Sequence, residues 1–342
     1  MKIFVVSAFT KTMRQISSGI QPPLSVTFWQ VSTFKKNLQF KNKAMWILEE
    51  GVNFLRLLVH PGIYKKEAVI ICEYCHYSVL LFGKWLGFFG SRKPIYLINF
   101  YIHSYYNTPI VRKILGFLLT ENVGLMAYSS SDREYFKTIG PKADVRFALW
   151  SGEESFEIDP FQKKDEDYIF AGGYANRDYD LVIRSARKFP QQQFIIVCSK
   201  LNVITESRPS NVCIIRDVSK KEYHTFMANS MSTIIPLKNN VGSSGQMAAI
   251  ASMQFGKITF YPDFDMVSQY FENEKSGFMY RAGDAESLSL TLSMFIKNPS
   301  KYSQIGREAR LRWETYFKPD QFEGKIGEHM KDFFEKRLSY QN

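Results

Sequence analysis

The chain reads as an α/β protein made of two halves, each a mostly parallel sheet with helices on both faces. Two observations predict this. Short apolar, β-branched runs alternate with helix-length segments along the chain, the pattern of strands joined by crossover helices. The pattern then restarts after a polar stretch at 153–167 whose composition suits a linker. A chain of 342 residues also exceeds what one core supports, roughly 250–300 residues. Two domains are therefore expected, 1–152 and 153–316, followed by a segment at 317–342 that alternates charge with aromatics as an amphipathic helix does.

In the first half, strands are predicted at 2–7, 25–29, 68–73, 94–99, 123–128 and 144–148. Helices are predicted at 35–59, 77–89, 110–120 and 131–139, the last stopped by Gly140-Pro141. The opening run KIFVVS is too short for a secretory leader and reads as a buried strand. No run of about 20 apolar residues is present, so no bilayer span is expected. The closest candidate, 94–111, carries Asn99, His103, Asn107 and several tyrosines, which suits a strand and a pocket-lining loop. In the second half, strands are predicted at 168–171, 193–198, 211–215, 232–236, 257–261 and 277–280. Helices are predicted at 178–188, 219–229, 245–255, 263–273, 285–296 and 299–316. Two such halves make two Rossmann-like domains facing one another across a cleft, with ligands expected outside the carboxyl ends of the strands.

Charge is unevenly placed. The net charge is +11, yet residues 1–120 hold 15 Lys or Arg against 4 Asp or Glu, and the remainder holds 29 of each sign. A basic third suggests a phosphate-bearing partner: nucleic acid, an anionic membrane or a phosphorylated substrate. The segments at 35–46 and 77–93 mix lysines with Trp and Phe. They suit either an interfacial helix or a core-facing helix with solvated lysines. Four cysteines make no disulfide framework in a chain this long. Cys72 and Cys75 have a C-x-x-C spacing without a second pair, and Cys72 sits in a buried-strand pattern. A reducing, cytoplasmic setting is expected.

The run IPLKNNVGSSGQM at 235–247 joins a strand to a helix through a glycine-serine turn. The first N–H groups of a helix have no internal partner, and the dipole is positive there. Ser243, Ser244, Gly245 and Gln246 therefore form a place for a phosphate, or else an ordinary strand-to-helix turn.

Four segments in order carry a resemblance: YIFAGGYANRDY (168–179), NVCIIRDVS (211–219), GQMAAIASMQFGK (245–257) and SGFMYRAGDAESL (276–288). Together they resemble the donor domain of the GT-B retaining glycosyltransferases, the large group that uses nucleotide sugars. The resemblance implies transfer of a hexose from a UDP- or GDP-linked donor to a glycan or lipid-linked acceptor, with retention and no cofactor; no acidic D-x-D-type ligand pair stands in a cleft loop, so fixed donors and cations rather than a metal are expected. It implies that Gly172 and Gly173 let the donor approach, that Arg177 lies at a family cation position, and that Arg216 and Val218 meet the base. It sets His103 beside the transferred sugar and folds 317–342 back onto the first domain. Arg177 and His103 also suit structural roles, and Lys238 is a second candidate cation. Surface polysaccharide or glycolipid synthesis at the inner face of the membrane follows as the setting. The family's two glutamates, at the ends of an eight-residue window, are replaced here by Ser244 and Ala251. Their loss keeps open a catalytically inactive relative that binds a nucleotide sugar or glycan as a scaffold. Nucleic-acid binding lacks any supporting motif, so no nucleic-acid partner is expected.

Overall fold

The computed structural model describes residues 2–7, 25–30, 43–64, 68–73, 77–90, 93–98, 108–151, 166–240 and 244–339. The chain divides into two compact units, Met1–Ala148 with Glu323–Asn342, and Leu149–Phe322. No helix among the described residues is long and apolar enough to cross a membrane.

The first unit holds a parallel sheet of β1 (Lys2–Ser7), β2 (Ser25–Gln30), β3 (Ala68–Glu73), β4 (Ile95–Ile98), β5 (Val123–Ala127) and β6 (Asp144–Phe147). Its order is β2-β1-β3-β4-β5-β6. Helices α1 (Lys43–Val59), α2 (Tyr77–Phe88), α3 (Pro109–Leu118) and α4 (Ser130–Ile139) join strands that advance in one direction from β2 to β6. Right-handed crossovers then set all four on one face. Their buried side chains agree: Leu57, Leu80, Leu115 and Phe136 share one core with Ile70, Leu97 and Leu125. Local chemistry starts these helices. Thr108 caps α3 by accepting from the Val111 N–H at 3.3 Å, with Pro109 in the first turn, and Ser129 accepts from the Asp132 N–H at 3.1 Å.

Alternation along the strands turns Tyr96 and Gly124 to the opposite face. There the last helix, α11 (Pro319–Ser339), packs Phe333 and Phe334 at 5.5 and 6.2 Å from the Tyr96 ring. A methyl on Gly124 would lie 2.6 Å from the Tyr96 ring and 3.1 Å from Phe333, so the bare backbone is what admits the helix. Arg146 of β6 donates to Asp144 at 2.6 Å and to Asp332 of α11 at 2.7 Å. These groups are partly solvated, so the pair orients the helix more than it stabilises it.

The second unit holds β7 (Tyr168–Gly172), β8 (Gln193–Cys198), β9 (Val212–Arg216), β10 (Ser232–Ile234), β11 (Ile258–Pro262) and β12 (Phe278–Tyr280). They are parallel in the order β12-β11-β10-β7-β8-β9. Read from β9, this is the doubly wound dinucleotide-fold order, and it reverses between β7 and β10. Both faces are covered. Phe170 lies in a core with α6 (Lys220–Asn229), α7 (Gln246–Gln254), α8 (Asp265–Ser268) and α10 (Ser303–Tyr316). Ile169 and Ala171 lie in a second core with α5 (Tyr179–Ala186) and α9 (Ala285–Lys297). Helix α7 is buried on nearly every side, because its Ala and Ser side chains let neighbours approach. Its end meets α10 so closely that a methyl on Gly306 would lie 2.5 Å from the Gly256 carbonyl oxygen.

The predicted strands appear where the apolar runs placed them. The helix predicted over 263–273 is shorter, only Asp265–Ser268. Tyr270 donates its hydroxyl to the Trp150 carbonyl at 3.1 Å, and Phe271 stacks on Tyr261 at 4.6 Å. Packing of both rings into the core unwinds the helical pattern that their spacing suggests. Phe333→Ala empties the site over Tyr96 and should cost about 3–5 kcal/mol, measured as a lower urea midpoint. An unchanged midpoint would mean that α11 adds nothing to the first core.

Candidate functional site

At the reversal point of the second sheet, the chain leaves β7 through Gly172-Gly173. Gly173 has φ +134, and a methyl there would lie 2.4 Å from the Arg177 Nε. Gly172 is closed off by Phe170 and Tyr223, both of which would lie within 2.6 Å of a methyl there. Only glycine lets this backbone pass under those side chains. The Tyr179 hydroxyl, buried, donates to the Gly173 carbonyl and, at 3.2 Å, to the Val197 carbonyl. Asp178 caps α5 by accepting from the Leu181 N–H at 2.9 Å.

This loop is tied to the one after β10. Asp178 N–H donates to the Pro236 carbonyl at 2.8 Å, and Lys238 N–H donates to the Asn176 carbonyl at 3.2 Å. Arg177 and Leu237 form an antiparallel bridge between those two bonds. The Asn176 amide adds a bond to the Asn239 carbonyl at 2.7 Å. Asn176 takes φ +55, a left-handed conformation that asparagine tolerates better than most residues. Tyr280 supports the same loop from below, donating to the Ile235 carbonyl at 3.0 Å.

Arg177 spends part of its guanidinium inside the loop. Its Nε donates to the Gly172 carbonyl at 3.1 Å and its Nη1 to the Ala175 carbonyl. A guanidinium has five N–H donors, so three remain without a partner among the described residues. Arg216 likewise holds its neighbours, donating from Nη1 to the Ser199 carbonyl at 2.7 Å and the Asn202 carbonyl at 3.1 Å. Val218 accepts from the Tyr174 hydroxyl at 3.2 Å, while the half-exposed Tyr174 ring lies 6.2 Å from Tyr223. Burial pushes the phenols of Tyr174 and Tyr179 up, and that of Tyr223 up to about 12. The raised values favour the protonated phenol, the form in which Tyr174 and Tyr179 make the donor bonds described above.

The N-terminus of α7 opens beside this rim. Gly245 is its cap with φ +87, and no side chain caps the helix there. A methyl on Gly245 would lie 3.1 Å from Leu237, so the turn rests on the β10 loop. Gln246 is buried, Ser244 is partly buried, and Lys238 is exposed. Ala251, one turn and more along α7, is 4% exposed among apolar neighbours.

The structure thus gathers Gly172, Gly173, Arg177, Arg216, Val218, Lys238, Ser244, Gly245 and Gln246 along the carboxyl edge of one sheet. Ser243 and His103 lie outside the described residues, as does most of 35–46. Sequence reading missed Tyr174, Asn176, Asp178 and Tyr179, which shape the loop. An Asp directly before a helix and an Asn after two glycines are the signals that would have found two of them.

Gly245→Ala forces a side chain into a left-handed conformation and should cost about 1–2 kcal/mol, read from chemical unfolding. Ala251→Glu should destabilise by about 1–3 kcal/mol from overpacking alone, with the carboxylate adding to it. A fully stable Ala251→Glu protein would mean that this position opens to solvent.

No family model matches the sequence, and no curated protein matches it. Solved structures do match. The Anabaena HepE structure in complex with UDP and glucose aligns with a TM-score of 0.68 and 12% identity, over 97% of this chain and 100% of that one. A glycosyltransferase from Rickettsia africae ESF-5 gives 0.67 and 12%, over 97% and 98%. Sucrose-phosphate synthase from Thermosynechococcus elongatus gives 0.66 and 10%, over 98% and 100%. At such identities the likeness is one of fold. With two parallel doubly wound sheets and these neighbours over nearly its whole length, the chain has the GT-B fold of glycosyltransferases.

Proposed function

We infer that the protein transfers a hexose from a UDP- or GDP-linked sugar to a glycan or lipid-linked acceptor. The reading rests on one observation above all. The glycine turn after β7 and the uncapped N-terminus of α7 stand together at the reversal point of the second sheet. A diphosphate leaving group gains negative charge as the glycosidic bond breaks, so catalysis needs donors fixed in advance where that charge grows. The backbone N–H groups at Ser244, Gly245 and Gln246 are candidates, with the three remaining donors of Arg177 and the exposed ammonium of Lys238. Because two carbonyls already hold the Arg177 guanidinium, little reorganisation is needed when phosphate arrives. In this reading Arg216 and Val218 meet the base, the sugar is transferred with retention and without a metal, and His103 of the first unit serves the acceptor side. Synthesis of surface polysaccharide or glycolipid at the inner face of the cell membrane is the setting it fits. UDP and glucose bound in the HepE structure support the donor class.

A second reading is favoured by Ser244 and Ala251, which stand where the resembling family has glutamates. Without those carboxylates the donor sugar and ribose lose charged acceptors, and the protein would bind a nucleotide sugar or glycan without turning it over.

Thermal-shift measurement against UDP, GDP and their sugars tests the donor site, since a ligand at about 100 times its Kd adds roughly 2.7 kcal/mol. Arg177→Ala should weaken nucleoside-diphosphate affinity at least about tenfold. Equal affinity with the fold intact removes Arg177 from the site. Transfer or hydrolysis of any sugar nucleotide in a panel excludes the non-catalytic reading.

A further inference from the structure

One face of the first unit carries chemistry that a donor site on the second unit does not use. Among the described residues nineteen large apolar side chains are exposed, and ten of them fall between Val52 and Phe117. The other nine are spread from Tyr174 to Tyr316. On α3, Ile110, Ile114 and Phe117 are 72%, 46% and 56% exposed. Their spacing of four and three residues puts them on one stripe. Leu115 and Leu118 of the same helix are buried against the sheet, so α3 is apolar on both its inner and outer sides. On α2, Leu81 and Phe88 flank Lys84 at helical spacing, with Phe88 77% exposed.

The two stripes meet. The Lys84 ammonium lies 4.1 Å from the centre of the Phe117 ring. Gly83, Gly87 and Phe88 of α2 and Gly116 and Phe117 of α3 wall a groove of about 510 Å³. Lys142 lies at its rim, and Glu121 is the one acidic side chain lining it. Lys113 stands exposed beside the α3 stripe. Helices α2 and α3 belong to residues 1–120, which hold 15 basic residues and 4 acidic ones, while Glu121 and Lys142 lie just beyond.

Charge decides what covers it. A second copy in a two-fold contact would set the patch against itself, bringing Lys84, Lys113 and Lys142 toward their own counterparts. Charged groups are depleted from the cores of such interfaces. Nucleic acid would meet the lysines but gain nothing from aliphatic Ile110, Ile114 and Leu81. An anionic bilayer takes both kinds of group, apolar side chains at the headgroup boundary and ammonium groups at the phosphates.

We propose that the α2–α3 face of the first unit docks on an anionic lipid surface, with Phe88 and Phe117 entering the headgroup region and Lys84, Lys113 and Lys142 facing its phosphates. The proposal places the contact on residues 81–142, which take in part of the 77–93 segment. It deepens the lipid-linked acceptor reading and rests on that reading for the meaning of the contact, not for the contact itself.

Co-sedimentation of the full chain with vesicles tests it. Vesicles of phosphatidylcholine plus phosphatidylglycerol should bind the protein at low salt and release it as salt rises, and phosphatidylcholine alone should not. Lys113→Glu with Lys142→Glu changes only exposed positions and should lower binding at least about tenfold. Phe88→Ser with Phe117→Ser should do the same, with circular dichroism and the unfolding midpoint confirming the fold. Affinity of both variants for UDP should equal that of the parent chain. The docking proposal is overturned if the parent ignores anionic vesicles, binds neutral ones equally, or binds as well with the lysine pair reversed. It is also overturned if the parent forms a dimer that the Phe pair abolishes. Vesicle binding that survives without any nucleotide affinity would sink the donor-site reading and leave the docking face standing.

Discussion

A short antiparallel ladder between 176–178 and 236–238 is the constraint on which the candidate site depends. All strand pairs of the second sheet are parallel, so their carboxyl ends would otherwise diverge into separate loops. The bonds from Asp178 to Pro236 and from Lys238 to Asn176 draw two of those loops together at the point where the sheet order reverses. Gly245 then rests on Leu237, and the first turn of α7 is aimed by the same ladder. Without it the glycine turn and the helix end would be two unrelated features of the rim.

The chemistry of that rim is mostly backbone and phenol. Tyr179 and Tyr280 hold carbonyls from below, and burial keeps both hydroxyls protonated. Arg177 braces its own loop, and Arg216 braces the neighbouring loop after β8, before any ligand arrives. A site assembled in this way is rigid at low cost, because its charged groups are already oriented and only part of their hydrogen-bonding capacity is used. The absence of carboxylates at Ser244 and Ala251 fits a rim that favours anions, and it is the feature on which catalytic and binding-only readings divide.

The two units balance polarity differently. In the second, helices cover both sheet faces and turn charged residues outward, so the exposed apolar side chains are scattered. In the first, α2 and α3 are apolar on both sides, and the last helix covers the opposite sheet face with Phe333 and Phe334. The excess of positive charge follows the same unit. Cations and exposed rings on one surface are what a partner with a charged skin and an apolar interior selects.

Strands and helices were legible because β-branched runs, caps and glycine stops act over a few residues. The glycine turn into the helix at 244–246 was legible for the same reason, and so was the basic third. The helix predicted over 263–273 was too long because periodicity does not reveal that Tyr270 and Phe271 pack inward on Trp150 and Tyr261. The segment at 77–93 read slightly better as a core-facing helix than as an interfacial one, since periodicity marks an apolar stripe without saying which side meets the sheet. By itself the sequence determined the alternation of elements, the two-sheet architecture and the glycine turns, all of which rest on near neighbours along the chain. Tertiary structure alone decided that residues near 177 pair with those near 237, that Arg177 binds its own loop, and that α2 and α3 leave an apolar face uncovered. Those outcomes depend on contacts between distant segments, and no local pattern encodes them.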